Sequence, residues 1–129
     1  MYRPRVLLVE DNLLFRWWML ADFNRAGFFV MAPNSVEEAL RLGTRAPFDI
    51  LVTDWRLSGG HDGFEVLERV RQRFPDILAV LISAEADAGL ARRAKSAGFD
   101  FVLQKPFPSA TMIDLVRAMT ARAPSEVAS

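Results

Sequence analysis

"VLLVEDNLLFRWWMLADFNRAGFFVM", residues 6–31, sets a pattern that the rest of the chain repeats. Residues 6–9 form a short, wholly apolar run, as expected of a strand buried on both faces. The run stops on two adjacent acids, Glu10 and Asp11. Residues 12–27 have helical spacing and end on Gly27, which suits the left-handed turn after a helix. "FFVM" 28–31 is a second apolar run. Strand, helix and strand in this order read as a crossover between parallel strands.

Working outward, "DILVT" 49–53, "ILAVLIS" 77–83 and "FVLQ" 101–104 read as further strands. Helices are expected over 34–46, 63–75, 86–98 and 109–122. The first of these opens with Ser35 and Glu38 at capping-box spacing. The second carries Phe64, Val66, Leu67, Val70 and Phe74 on one face and stops at Pro75; the last carries Met112, Leu115, Val116 and Met119. The order is β-α five times. Strands this continuously apolar imply an α/β fold, a parallel sheet with helices on both faces. One domain is expected over 1–122. The small, polar tail 123–129, "APSEVAS", is expected to be flexible.

Composition narrows the function. The 16 basic and 16 acidic residues cancel, which gives no support for nonspecific nucleic-acid or anionic-membrane binding. With no Cys there are no disulfides, thiol catalysts or Cys-based zinc sites, and a reducing, cytoplasmic setting is compatible. One His argues against His-rich metal sites. No apolar run approaches the ~20 residues of a membrane span, and "MYRPR" lacks the apolar stretch of a signal peptide.

In open α/β sheets, ligands bind at the carboxyl ends of the strands. Glu10 and Asp11 follow the first strand, and Asp54 ends the third. If those strands are neighbours, three carboxylates converge, and their repulsion and desolvation call for a cation. Mg²⁺ suits such a site because it takes few carboxylates, keeps waters and adds phosphate oxygens. Ser83 ends the fourth strand and Lys105 the fifth. An ammonium and a hydroxyl beside acids make sense around a phosphoryl group. A cis Lys105-Pro106 bond would fix how the lysine enters the cleft.

With these pieces in order, "LLVEDN", "DILVTDWRL", "DGFEVL", "LISA" and "AKSAGFDFVLQKPF", the chain resembles the receiver domain of two-component response regulators over about 5–120. The resemblance implies a flavodoxin-like (βα)5 fold with strand order 2-1-3-4-5. It implies that Asp54 accepts a phosphoryl group from a histidine kinase or histidine phosphotransfer protein. Asp11, Asp54 and the backbone carbonyl of Arg56 would ligate Mg²⁺, with Glu10 one water removed. Lys105 would pair with phosphoryl oxygens, and Ser83 would turn inward and carry the signal. Such a protein modifies itself rather than turning over an external substrate. It controls a downstream protein, with a homodimer among the assemblies open to it.

The chain departs from the family pattern in two places and is distinctive at two variable positions. In "DWRLSGGHDG", Ser58 replaces the usual Pro and Gly59-Gly60 lengthens the loop by one residue, so a mobile loop with a solvent-exposed His61 is expected. Val102 stands where the switch aromatic usually lies, and strand alternation points Phe101 to the other face. An altered output switch is therefore expected. Arg56 and Glu85 occupy the variable positions flanking the phosphate; paired across its mouth, they would hinder attacking water and lengthen the phosphoryl lifetime.

The helix after the first strand is apolar on two faces. Phe15, Trp18, Met19 and Phe23 form a core stripe, and Leu13, Trp17 and Leu20 form a second. A second stripe indicates a partner, and receivers dock onto histidine-kinase helices through this helix. Two rival readings remain. One is a pseudo-receiver that binds proteins without taking phosphate. The other is a flavodoxin-like Mg²⁺ phosphatase or FMN protein. "EDNLLF" lacks the Ser/Thr/Gly-rich phosphate loop that FMN sites use.

Overall fold

A computed structural model describes residues 2–85 and 87–121. The elements alternate: β1 (Arg5–Val9), α1 (Leu13–Arg25), β2 (Phe29–Met31), α2 (Val36–Arg45), β3 (Ile50–Asp54), α3 (Gly63–Arg73), β4 (Leu78–Ser83), α4 (Ala88–Ala97), β5 (Phe101–Gln104) and α5 (Ser109–Thr120). One 3-10 turn, Ser58–Gly60, lies between β3 and α3. The tail expected over 123–129 lies outside the described residues.

All strand pairings are parallel and the order is β2-β1-β3-β4-β5, so the fold is flavodoxin-like. Strand alternation builds two cores from one sheet. Leu7, Leu51 and Leu81 face one layer with Val36, Val66, Val70 and Leu90 from α2, α3 and α4. Val6, Leu8, Ile50, Val52 and Ile82 face the other with Met19, Phe23, Met112 and Val116 from α1 and α5.

Four helices start on the side chain that their sequence supplies. Asn12, Ser35, Asp62 and Asp87 each accept a hydrogen bond from the amide three residues on, satisfying an orphan donor of the first turn. Glu38 does not complete the reciprocal half of the expected capping box; its carboxylate pairs with Arg41 instead. Gly27 and Gly98 adopt the left-handed conformation at their helix ends, with φ of 95° and 101°.

One expectation about α1 changes. Met19 and Phe23 are buried, but Trp18 is exposed, as are Leu13, Leu14 and Trp17, while Leu20 is half-buried. On a helix apolar nearly all round, spacing does not say which stripe meets the sheet. The sector through Met19 and Phe23 does so, and Trp18 packs edge-to-face on Phe15 at its margin. Among the described residues no helix is long and apolar enough to cross a membrane.

Candidate functional site

Register brings the predicted residues together. Val9 pairs with Thr53, Asp54 with Ile82, and Ser83 with Gln104. Glu10, Asp54, Ser83 and Lys105 therefore lie at one end of four adjacent strands, in the crevice where such sheets bind ligands.

Lys105 joins the carboxylates. Its Nζ lies 2.7 Å from Glu10 Oε1 and 3.1 Å from Asp54 Oδ2. It also sits 4.6 Å from the ring centre of Phe15, on the first turn of α1. The Lys105-Pro106 bond is cis. Asp54 Oδ1 accepts from the Trp55 amide at 2.8 Å. Asp11, exposed at the start of the loop into α1, accepts from the Ser58 amide and so ties this edge to the β3–α3 loop. Ser83 is buried, and its Oγ accepts from the Glu85 amide at 3.0 Å.

Glu10 is the most constrained acid. Its side chain is 1% exposed. Oε2 accepts from the Asn12 amide at 3.0 Å; Oε1 has Lys105 beside it but no well-aligned hydrogen bond among the described residues. Burial pushes the Glu10 pKa up, against the pull of Lys105 and the Asn12 amide, and the charge of Asp54 adds to the rise. Burial alone would pull Lys105 down. Glu10 first, then Asp54, more than offset this and hold its pKa above the ordinary lysine value. The ammonium is thus kept charged among acids.

The donor set is made of hard oxygens, with no His or Cys. The Arg56 carbonyl accepts no hydrogen bond among the described residues, although Arg56 lies opposite Asp62 in an antiparallel bridge made by the Gly63 amide on the Trp55 carbonyl and the Leu57 amide on the His61 carbonyl. Among the described residues no group of three His, Cys, Asp or Glu side chains is placed to hold a metal by itself. The arrangement suits an ion that takes two carboxylates and a carbonyl and keeps its waters, which is the habit of Mg²⁺.

The flanking positions meet. Arg56 Nε donates to Glu85 Oε1 at 3.1 Å. Val102 is half-buried and packs with the Leu7–Leu51–Leu81 layer, while Phe101 points away and is half exposed.

The expectation of a free, solvated His61 is overturned. Its Nδ1 lies 2.9 Å from Glu65 Oε1 on α3, and its Nε2 lies 3.2 Å from Glu37 Oε2 on α2. The Glu65 hydrogen bond is the first cause of a pKa raised above the ordinary histidine value; burial works against it, and the charge of Glu65 and then Glu37 add to the rise. Local sequence could not show this clamp, because Glu37 lies 24 residues away. The loop itself is held by Leu57 donating to the His61 carbonyl at 3.0 Å, with Gly59 and Gly60 at positive φ.

Sequence reading passed over two contributors. Asn12 caps α1 through Oδ1 and donates its amide to Glu10; an Asn directly before an apolar helical stretch is a recognisable cap signal. Gly63 lets α3 approach the backbone of Asp54: a Cβ there would stand 2.5 Å from the Asp54 carbonyl oxygen. No local signal marks that contact.

Comparison with known proteins agrees with this fold. The model of the response regulator receiver domain matches residues 6–117. The response regulator protein PilR of Pseudomonas aeruginosa is 32% identical over 117 residues, covering 90% of this chain and 26% of that protein. The phosphate regulon transcriptional regulatory protein PhoB of Rhizobium meliloti is 32% identical over 130 residues, covering 98% of this chain and 56% of that protein. The chain thus spans only part of the length of these relatives. Among solved structures, a CheY-like receiver from Methanospirillum hungatei superimposes with a TM-score of 0.88 at 18% identity, covering 97% of this chain and 99% of that one. A Burkholderia pseudomallei response regulator, described with a phosphorylated aspartic acid, calcium ion and citrate, gives 0.80 at 22% identity, covering 97% of this chain and 73% of that one.

Proposed function

From the premise that the chain belongs to the response regulator receiver domain family, we propose that it takes a phosphoryl group on Asp54 with Mg²⁺ and switches conformation to control a partner. The observation that carries this reading is the lysine bridge: one ammonium within 3.1 Å of both the buried Glu10 and the strand-end Asp54. A cation held charged beside a carboxylate nucleophile is placed for the charge of an incoming phosphoryl group.

An Asp54 carboxylate oxygen attacks phosphorus in a phosphohistidine or acyl phosphate. The P–N or P–O bond to the donor breaks, and an aspartyl phosphate forms. Lys105 then exchanges its contact with Asp54 for one with a phosphoryl oxygen. Ser83 gives up the Glu85 amide and donates its hydroxyl to another. Asp11, Asp54 and the Arg56 carbonyl would hold Mg²⁺, and Glu10 would hold its water. When bound, the ion neutralises phosphoryl oxygens. The calcium and phosphoaspartate described for the Burkholderia structure support a divalent ion beside a phosphorylated aspartate.

The donor is a histidine kinase or histidine phosphotransfer protein, docked on the exposed Leu13, Trp17 and the neighbouring Leu14 of α1; Leu20, half-buried, contributes less. The salt-bridged Arg56 and Glu85 restrict water at the mouth of the site. With Val102 at the usual aromatic position, the output switch is atypical. The setting is cytoplasmic.

Titrating Mg²⁺ and then beryllofluoride while following tryptophan fluorescence tests this, since Trp55 adjoins Asp54. A two-stage change is expected, absent in Asp54→Asn. No response in the wild type would favour a pseudo-receiver that binds partners without phosphate.

A further inference from the structure

Val102 leaves the fold without an aromatic to turn inward beside Ser83, yet an aromatic does stand next to the phosphoacceptor. Trp55 directly follows Asp54, and its amide is shared between Asp54 Oδ1 at 2.8 Å and the Ile82 carbonyl at 2.9 Å. Its half-buried ring has two cations within reach. The Arg56 guanidinium is 4.2 Å from the ring centre, and that of Arg93, on α4, is 5.7 Å away. Arg93 also lies 5.3 Å from the ring of Phe64 on α3, which stacks edge-to-face on Phe99. On the other side, Arg56 is held by Glu85, whose amide is held by Ser83 Oγ. A continuous set of contacts therefore runs Ser83–Glu85–Arg56–Trp55–Arg93, from the switch hydroxyl to α4.

We propose that Trp55, in contact with both Arg56 and Arg93, carries the phosphorylation signal from Asp54 to α4 in place of an aromatic at position 102. This rests on Asp54 being the phosphoacceptor. Before phosphorylation, Glu85 holds Arg56 by charge and the Trp55 face holds it by its π electrons. A phosphoryl group on Asp54 adds negative charge beside Arg56 and draws the Ser83 hydroxyl off the Glu85 amide. Arg56, its Nε still on Glu85, then turns its other nitrogens from the indole to the phosphoryl oxygens. Trp55 loses one of its two cations, its own amide bond to Asp54 is altered, and Arg93 loses its fixed platform. The change emerges on the α3–α4 face, around Phe64 and Arg93, rather than on the face that bears Phe101. Each contact is weak and partly exposed, which a switch requires: the two arrangements differ by an amount a phosphoryl group can overturn.

The test is backbone amide NMR of the whole chain with Mg²⁺, with and without beryllofluoride, on the wild type and on Arg93→Gln. Arg93 is exposed, so the variant is expected to fold. In the wild type, resonances of Asp54 and Lys105 and of Ala88–Ala97 should all shift. In Arg93→Gln the site shifts should persist, while the α4 shifts fall to less than about half, because the coupling contact is gone. Arg93→Lys, which keeps charge but loses the planar stack, should restore them only in part. In a Trp55→Leu background, Arg93→Gln should change nothing further. Undiminished α4 shifts in Arg93→Gln, with intact site shifts, would overturn the relay and leave the phosphoacceptor reading standing. No site shifts in the wild type would overturn both.

Discussion

Arg56 donates from Nε to Glu85 Oε1 at 3.1 Å and so bridges the loops that follow β3 and β4, two residues beyond Asp54 and two beyond Ser83. Both side chains are more than half exposed. As a contribution to stability, such a pair is worth at most about 1 kcal/mol. Its position matters more than its energy: if Asp54 carries a phosphoryl group, as proposed, the pair stands over the mouth that attacking water would enter by. Arg56→Ala and Glu85→Ala should each shorten the phosphoryl lifetime several-fold, and the double variant little more than either alone. Dephosphorylation followed after removal of the phosphodonor reads this directly. Unchanged lifetimes would show that the pair is only a surface contact.

Gly63 bears on the site through packing. A methyl group there would stand 2.5 Å from the Asp54 carbonyl oxygen and 3.0 Å from Leu81 and Thr53 side-chain atoms. Backbone cannot yield as a flexible side chain can, so Gly63→Ala should cost about 1–3 kcal/mol. It should also weaken Mg²⁺ binding by displacing Asp54. Denaturant melts and a Mg²⁺ titration of the same variant check both effects. A stable variant with normal Mg²⁺ affinity would refute the close approach.

His61 should make stability depend on pH. A neutral imidazole has one N–H, yet both ring nitrogens face carboxylates, Glu65 and Glu37. Only the imidazolium donates to both, in keeping with the raised pKa. For a group whose pKa is higher folded than unfolded, the stabilisation is full below the unfolded value, about 6.5. It is lost as pH rises through the folded value. The wild type should therefore exceed His61→Ala in urea midpoint at low pH and converge with it at high pH. A difference that grows with pH would contradict the clamp.

Trp17 separates folding from docking. At 68% exposure it has little to lose on truncation, so Trp17→Ala should alter stability by no more than about 0.5 kcal/mol. Phosphotransfer from a phosphohistidine protein should slow markedly, while acetyl phosphate, which needs no docking helix, should react at the wild-type rate. Equal slowing with both donors would place the defect in the site.

Much of this was legible in the chain because periodicity reports burial. Runs such as Val6–Val9 and Ala79–Ser83 are buried on both faces and read as strands without ambiguity. The three acids, one hydroxyl and one amine at strand ends could be named because sheet geometry sends strand ends to one crevice. The strand order came from resemblance, since alternating β and α permits several orders. What spacing could not give were relations across the fold. Lys105 meets Glu10 95 positions earlier, His61 meets Glu37 24 positions earlier, and Gly63 meets the backbone of Asp54. Trp18 was misplaced because α1 is apolar almost all round, so only packing selects its buried sector.

The most direct test of the central claim is intact-mass spectrometry of the protein after incubation with acetyl phosphate and Mg²⁺. The wild type should gain the mass of one phosphoryl group, labile to hydroxylamine. Asp54→Asn, or the wild type with EDTA, should gain none. A wild type that stays unmodified, or an Asp54→Asn variant that is modified to the same extent, would contradict the account.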